Sequence, residues 1–272
     1  MKNRLLLFVL ILPLLVPVLF SCTYSREDDI IFYVLKQVRE LYKENDKEVV
    51  KVIYSLTYDS DGKLKTEGDT LYTANLCYNN EILVDSVRVI YKANSGSTVD
   101  SIHRIFTYNE SDIAVRLVTF IKNQPEETAT GKVMLNAELL PISYIIGNNE
   151  ERYAYDAENK LTTVECYENS TLKWTRTYDY QGDNGNEYKS PYDEVQHFPA
   201  WYFVAYRHMS PVGLAIKSTL EEAGLAPAIE YEMKDFITSD LDFVTKCSRT
   251  YHENGDTREV TYRQDYRKVV FD

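Results

Sequence analysis

The stretch VVKVIYSLTYDSDGKL, from Val49 to Leu64, decides how this chain is read. Its first ten residues alternate: Val50, Val52, Tyr54, Leu56 and Tyr58 share one face, while Lys51, Ser55 and Thr57 supply most of the other. A period of two is the pattern of a half-buried β-strand. The strand stops on tyrosine. Asp59, Ser60, Asp61 and Gly62 then bring residue types that accept positive φ and close tight turns, and Leu64 restarts the chain.

The same alternation returns in SVRVIYKA, SIHRIFTY, IAVRLVTFI, KLTTVECYE, TLKWTRTYDY, IEYEMKDFI and EVTYRQDYRKVVF. The turn returns as well, in YNESDI from Tyr108, YDAENKL from Tyr155 and YHENGDT from Tyr251, with looser copies at Tyr167 and Tyr178. A strand-ending tyrosine is expected to lay its ring on the sheet and leave its hydroxyl in water. Strands at short intervals with turn chemistry between them predict an antiparallel sheet, and pairing of consecutive strands makes it a meander. The spacing is too irregular for a propeller or solenoid.

Two segments break this pattern. In Asp29–Lys43, Ile31, Val34, Leu35, Val38, Leu41 and Tyr42 recur at three- and four-residue steps, which predicts a short N-terminal helix docked on the β domain after it. Residues 189–240 form a long excursion rich in proline and aromatics. Within it Ser210 and Pro211 read as the start of a helix ending at Gly224.

The chain begins with two cations, Lys2 and Arg4, followed by the apolar run Leu5–Phe20, which is interrupted only by Pro13 and Pro17. That order is a secretory signal, and the prolines argue against a retained spanning helix. Leu19-Phe20-Ser21-Cys22 resembles a bacterial lipobox, although Phe20 is bulkier than the usual residue there. The resemblance implies cleavage before Cys22 and acylation of that residue. Several acyl chains anchor stably where one binds only marginally. The expected division is a signal peptide over 1–21, an anchor, tether and helix over 22–45, and a β-meander domain over 46–272. Ser25-Arg26-Glu27-Asp28-Asp29 resembles the surface-export signal of Bacteroidota lipoproteins, and it equally matches a capping box with acids at a helix start.

Formal net charge is −12 over 272 residues, and loss of the leader makes the chain more acidic still. Such a chain is unsuited to nucleic acid or to direct adhesion on anionic lipid, and no basic patch interleaved with aromatics occurs. Cys77, Cys166 and Cys247 are too few and too far apart for a disulfide framework, and they lack the spacing of a metal site. They are read as small apolar residues. Of the four histidines, His103 lies on a strand's minor face, His252 in a turn, and His197 and His208 flank FPAWYFVAYR as wet loop residues. No motif for nucleophilic, zinc or phosphate chemistry is present, so no catalytic residue, metal ligand or cofactor is assigned. The best candidate binding surface is Trp201, Tyr202, Phe203 and Tyr206, whose rings suit a sugar face or a protein anchor and equally suit core filling.

The lipobox, the acidic stretch after Cys22 and the turns Tyr58–Leu64 and Tyr155–Leu161 together resemble a group of Bacteroidota lipoproteins of unknown function with a porin-like, meandering β fold. Across roughly Asp46 to Asp272 the resemblance implies a curved, half-open barrel on a lipid tether, with no catalytic residues to carry over. The leading helix and the proline-rich excursion depart from that group. Thr70, Ser86 and Ser101 each follow an aspartate and precede an apolar residue, which matches the O-glycan attachment pattern of the same bacteria. The expectation is a non-enzymatic, lipid-anchored outer-membrane protein, displayed at the cell surface and acting in binding or assembly with a glycan or envelope-protein partner. The alternatives are a carrier of lipid or a small apolar ligand, and a glycan-directed hydrolase.

Overall fold

A computed structural model describes residues 30–44, 47–79, 83–182, 185–190, 199–210, 212–240, 243–253 and 256–271. The expected signal peptide and acidic tether, Cys22 and His197 lie outside the described residues. Tyr33–Arg267 forms one compact unit, and the wall, plug and cavity described here lie within it. Of the second unit, Met1–Phe32 with Lys268–Asp272, only strand ends are described.

The first strands are β1 (Ile30–Glu44), β2 (Lys47–Tyr58), β3 (Leu64–Asp69), β4 (Tyr72–Tyr78), β5 (Val84–Tyr91) and β6 (Ser101–Tyr108). Next come β7 (Asp112–Ile121), β8 (Gln124–Leu135), β9 (Pro141–Ile146), β10 (Asn149–Tyr155), β11 (Leu161–Glu168) and β12 (Thr171–Asp179). A helix, α1 (Ala200–Arg207), precedes β13 (Lys217–Glu222), β14 (Ala228–Thr238), β15 (Val244–Glu253) and β16 (Asp256–Phe271). Consecutive strands pair antiparallel throughout. The meander is therefore as expected.

The barrel is closed, however, and not half-open: β16 lies beside β1. Gln37 donates to Asp265 at 3.0 Å, Arg39 pairs with Asp265 at 2.7 Å and Arg258 with Glu40 at 2.6 Å across this seam. Closure removes the unpaired edges that an open sheet must otherwise protect. The segment expected to be the N-terminal helix supplies the closing strand. Its apolar spacing fits a helix, but its run of β-branched and aromatic residues, Ile30 to Val34, also suits a strand. The partners waiting on both sides decide the outcome.

The helix expected from Ser210 to Gly224 is absent, because Lys217–Glu222 is β13. The helix falls instead on the aromatic run. It ends where His208 adopts φ 50°, with the His208 N–H donating to Val204 O at 3.0 Å and the Met209 N–H to Phe203 O at 3.3 Å. Chain ends of this kind satisfy carbonyls that the helix itself leaves open.

One rim carries the repeat. Six of the eight even-numbered strands carry, at or toward that end, a tyrosine whose hydroxyl donates to a carbonyl in the first part of the preceding strand. Tyr78 reaches Leu64, Tyr155 reaches Pro141 and Tyr180 reaches Leu161, each at 2.7 Å. Tyr108 reaches Val84 at 2.8 Å, Tyr266 reaches Val244 at 3.1 Å, and Tyr58 reaches Leu35 within β1 at 2.7 Å. The hydroxyls are therefore bonded rather than wet, and burial raises the phenol pKa of Tyr78, Tyr108, Tyr155 and Tyr180. Beneath them Leu35, Leu64, Val84, Leu161 and Val244 are nearly sealed from solvent. The next residue in each turn has its own part. Asp59 accepts from the Asp61 and Lys63 N–H groups, and Asp156 accepts from Glu158 and Lys160, each acid closing a local turn. Gly62 (φ 76°) and Asn159 (φ 65°) occupy the same left-handed position three residues on. Tyr167 and Tyr251 belong to the opposite rim, since they precede the β11–β12 and β15–β16 turns.

The outer wall is charged. Arg88, Arg116, Lys132, Arg152, Glu232, Lys234 and Glu259 are exposed along their strands. A lipid-facing wall needs an apolar band, and a basic side chain at its midplane costs about 2–4 kcal/mol. Several strands are also short for a bilayer: β3, β9 and β13 have 6 residues each, against the roughly 9–11 that a spanning strand needs.

Candidate functional site

The interior is assembled around α1, which is apolar on nearly every side. Trp201, Tyr202, Phe203, Val204 and Ala205 are all buried, as expected of a helix surrounded by protein. Trp201 meets Phe106 of β6 edge to face with centroids 4.8 Å apart. Tyr206 lies 5.1 Å from Tyr144 of β9, and Arg104 stacks on the Tyr206 ring at 4.4 Å. Such ring pairs add about 0.5–1.5 kcal/mol each beyond area burial.

The last turn ties the helix to opposite parts of the wall. Arg207 pairs with Glu67 of β3 at 2.5 Å, donates to the Tyr72 hydroxyl and stacks on that ring at 4.5 Å. Glu67 has no exposed surface, and it also accepts from Tyr54 at 2.7 Å and from Tyr72 at 3.2 Å. On the other side, His208 Nε2 meets Glu151 of β10 at 2.9 Å and its Nδ1 meets Arg176 of β12 at 3.0 Å. Arg176 makes a two-pronged contact with Glu230, both oxygens at 2.7 Å, and Ser218 adds a bond at 2.6 Å. Forked arginine–carboxylate contacts are among the stronger hydrogen bonds in proteins.

Burial opposes ionisation of Glu151, but bonds from His208 and Tyr153 and the field of Arg176 outweigh it and hold the carboxyl below its ordinary value. Glu230 is likewise opposed by burial and likewise lowered, by Arg176 and Ser218. Both carboxylates are thus held as anions. His208, read from sequence as a wet loop residue, is instead a link in this chain of contacts.

Beside the plug lies a half-enclosed cavity of about 270 Å³. Its apolar lining includes Leu35, Val38, Ile53, Leu214, Met233 and Cys247, and its polar lining includes Tyr54, Tyr251, Tyr262, Arg207, Arg249 and Gln264. Burial pushes the Cys247 thiol up to about 11. That volume is at the lower edge of the roughly 300–1,000 Å³ typical of small-molecule sites, and its mix of apolar walls with a few polar groups is typical too. A second hollow, lined by Glu40, Lys51, Arg258 and Glu259 among others, has balanced charges and an internal Arg258–Glu40 pair.

The structure separates the residues singled out from sequence. Trp201, Tyr202 and Phe203 are buried within the barrel and offer no outer surface, so their burial is that of core filling; Tyr206 is partly accessible. Thr70 and Ser86 are half-buried, and Ser101 at 3% exposure has no room for a glycan. Cys77 is exposed, Cys166 half-buried and Cys247 buried, all three free, so the small-apolar reading fits Cys247 alone. His103 stacks on Phe120 at 4.5 Å, its pKa lowered by burial and by Arg88, while His252 is exposed. Among the described residues no cluster of three metal-ligating side chains occurs.

Sequence reading missed Glu67, Glu151, Arg176, Glu230 and Arg249. A signal existed for two of them. Arg176 alternates with Trp174 and Tyr178, and Arg249 with Cys247 and Tyr251, so each places a charge on a strand's apolar face.

No family model matches the chain, and no curated protein matches it. Solved structures of similar fold include two porin-like proteins. One is a porin-like protein from Bacteroides uniformis ATCC 8492, 13% identical with a TM-score of 0.47, the match covering 85% of this chain and 96% of that one. The other is a porin-like protein from Bacteroides vulgatus ATCC 8482, 13% identical with a TM-score of 0.45, covering 87% of this chain and 99% of that one.

Proposed function

We propose that this chain is a non-enzymatic binding protein of the cell envelope, tethered through lipid on Cys22, whose barrel stands in water rather than in the bilayer. The observation that carries the reading is the combination of a charged outer wall with an interior occupied by a bolted-in helix. A pore needs an open lumen and a greasy exterior, and this barrel has neither feature along the segments described. The lipobox ending at Cys22 provides the anchor, and the acidic residues after it fit outward display at the outer membrane.

The test is metabolic labelling with palmitate followed by a salt and carbonate wash of membranes. Label should appear in the parent and vanish in Cys22→Ala, while the barrel itself should add no membrane retention. Retention of the unlabelled variant through the wash, or channel conductance from the purified protein in a planar bilayer, overturns the reading. Shaving intact cells with protease then separates surface display from the periplasmic face. Thr70 and Ser86 are the positions at which attached glycan should be sought.

A second reading, carriage of a small apolar ligand, is favoured by the cavity beneath the plug. Its walls are largely apolar, with a few polar groups among them.

A further inference from the structure

Among the described residues Arg249 differs from Arg207 and Arg176, the two arginines that hold the end of α1, in having no acid beside it. Arg207 has Glu67, and Arg176 has Glu230 with His208. Arg249, on β15, has no carboxylate in contact among the described residues. One guanidinium nitrogen reaches the Tyr251 hydroxyl at a long 3.4 Å, another reaches the Met233 sulfur at 3.4 Å, and Nε is buried without a partner. Among the described residues the groups that act most on it are Tyr231, Tyr251 and Cys247, none of them a carboxylate. The plane of the group stacks on Tyr231 at 4.4 Å, with Tyr262 and Tyr251 somewhat farther away.

An arginine keeps its charge in any protein setting. A buried, unpaired cation is among the most unfavourable groups a fold can hold, and one left in place implies a partner that arrives from elsewhere. The cavity gives the partner's shape. Arg249 lines it together with Leu35, Val38, Ile53, Met233 and Cys247, and the residue as a whole retains some accessible surface. Tyr251 and Tyr262, whose hydroxyls are bonded to each other at 2.8 Å, border the same space, and the pair leaves one O–H over to donate. Arg104 also lacks a carboxylate contact among the described residues, but α1 covers it with the Tyr206 ring.

We infer that the cavity is a binding site for a small carboxylate with a compact apolar body, the carboxylate on Arg249 and the body against Leu35, Ile53 and Met233. Guanidinium matches carboxylate through parallel N–H bonds. A neutral analogue would leave the cation unpaired, and an amine would add a like charge. The inference rests on the binding-protein reading and narrows it to a ligand class.

The test is calorimetric titration of the purified full chain, in neutral detergent, with cyclohexanecarboxylate and with cyclohexylmethanol as its uncharged twin. The acid should bind about ten- to a hundredfold more tightly, the span expected for hydrogen bonds to a charged group. Arg249→Met should bring the acid down to the alcohol's affinity, leave the alcohol unchanged and raise the melting temperature. Equal affinity for both probes, an acid affinity that survives Arg249→Met, or binding of neither probe overturns the site. If Arg249→Met fails to fold, Arg249→Lys keeps the cation but gives up the fork, and an unchanged acid affinity in that variant overturns it equally. Palmitate labelling is a separate readout, so a labelled protein that binds neither probe refutes this inference and leaves the tethered-protein reading intact.

Discussion

The tyrosine rim and the interior around α1 face one task, the pairing of buried polar atoms, and meet it over different distances. At the rim each hydroxyl reaches a carbonyl 14 to 24 residues away, within the same pair of strands. In the interior, Arg207 and Glu67 are 140 residues apart, His208 and Glu151 57, and Arg176 and Glu230 54. A rim tie forms as soon as two neighbouring strands align. An interior tie exists only once the wall has closed around the helix. The rim should therefore behave as a set of independent parts, and the interior as one coupled part.

The most severe challenge to that contrast is Glu67→Ala. It leaves the half-buried Arg207 without its carboxylate, a loss of up to about 3–5 kcal/mol, the figure for a broken buried pair. Urea unfolding should show it, with α1 loosening as well. A loss below about 1 kcal/mol would mean that the plug is held by its rings alone.

Acid offers the next test. The native carboxyls of Glu151 and Glu230 are depressed below the ordinary value of 4.5, so their ionisation favours the folded state above that pH. The contribution drains away as pH falls through the lower native values. Stability measured from pH 6 to 3 should decline, and Glu230→Gln should make the decline shallower. An unaltered slope would show that Arg176 exerts no differential hold on that carboxylate.

At the rim the effects should be smaller and additive. Tyr155→Phe and Tyr78→Phe each remove one hydrogen bond to a carbonyl, for a loss of about 1 kcal/mol apiece. Because the two positions share no partner, the double variant should lose the sum within about 0.5 kcal/mol. Marked non-additivity would break the picture of independent parts.

The smallest effect concerns Leu139, which sits at φ 61° in the turn where the equivalent positions hold Gly62 and Asn159. Leu139→Gly should stabilise by roughly 1 kcal/mol by relieving a left-handed residue, visible as a rise of about 2–4 °C in melting temperature. No change would mean that this turn yields its strain elsewhere.

The contrast also explains what could be read from sequence. Tyr58-Asp59-Ser60-Asp61-Gly62-Lys63-Leu64 carries strand end, turn and restart within seven residues, so the meander and its turns were visible. The destination of the tyrosine hydroxyl was not, because the accepting carbonyl belongs to the far end of the previous strand. Asp29–Lys43 presents apolar residues that satisfy two periods at once, and only the vacancy between β2 and β16 makes it a strand. Glu67 reaches the interior through the irregular register between Thr57 and Tyr58, which shifts the face presented by the paired strand and which no alternation count reveals. The aromatic run was singled out as a surface because its hydrophobicity has no direction along the chain. Nothing within Trp201–Tyr206 states that a wall surrounds it.

Since every tyrosine tie closes inside a single hairpin, the wall resembles a fence of interchangeable panels. A panel can be duplicated or dropped without disturbing the others, provided the two end posts still meet. Circumference is then something that gene duplication can adjust in steps of two strands, and the space enclosed, with whatever it holds, can be resized while each latched panel keeps its own tie.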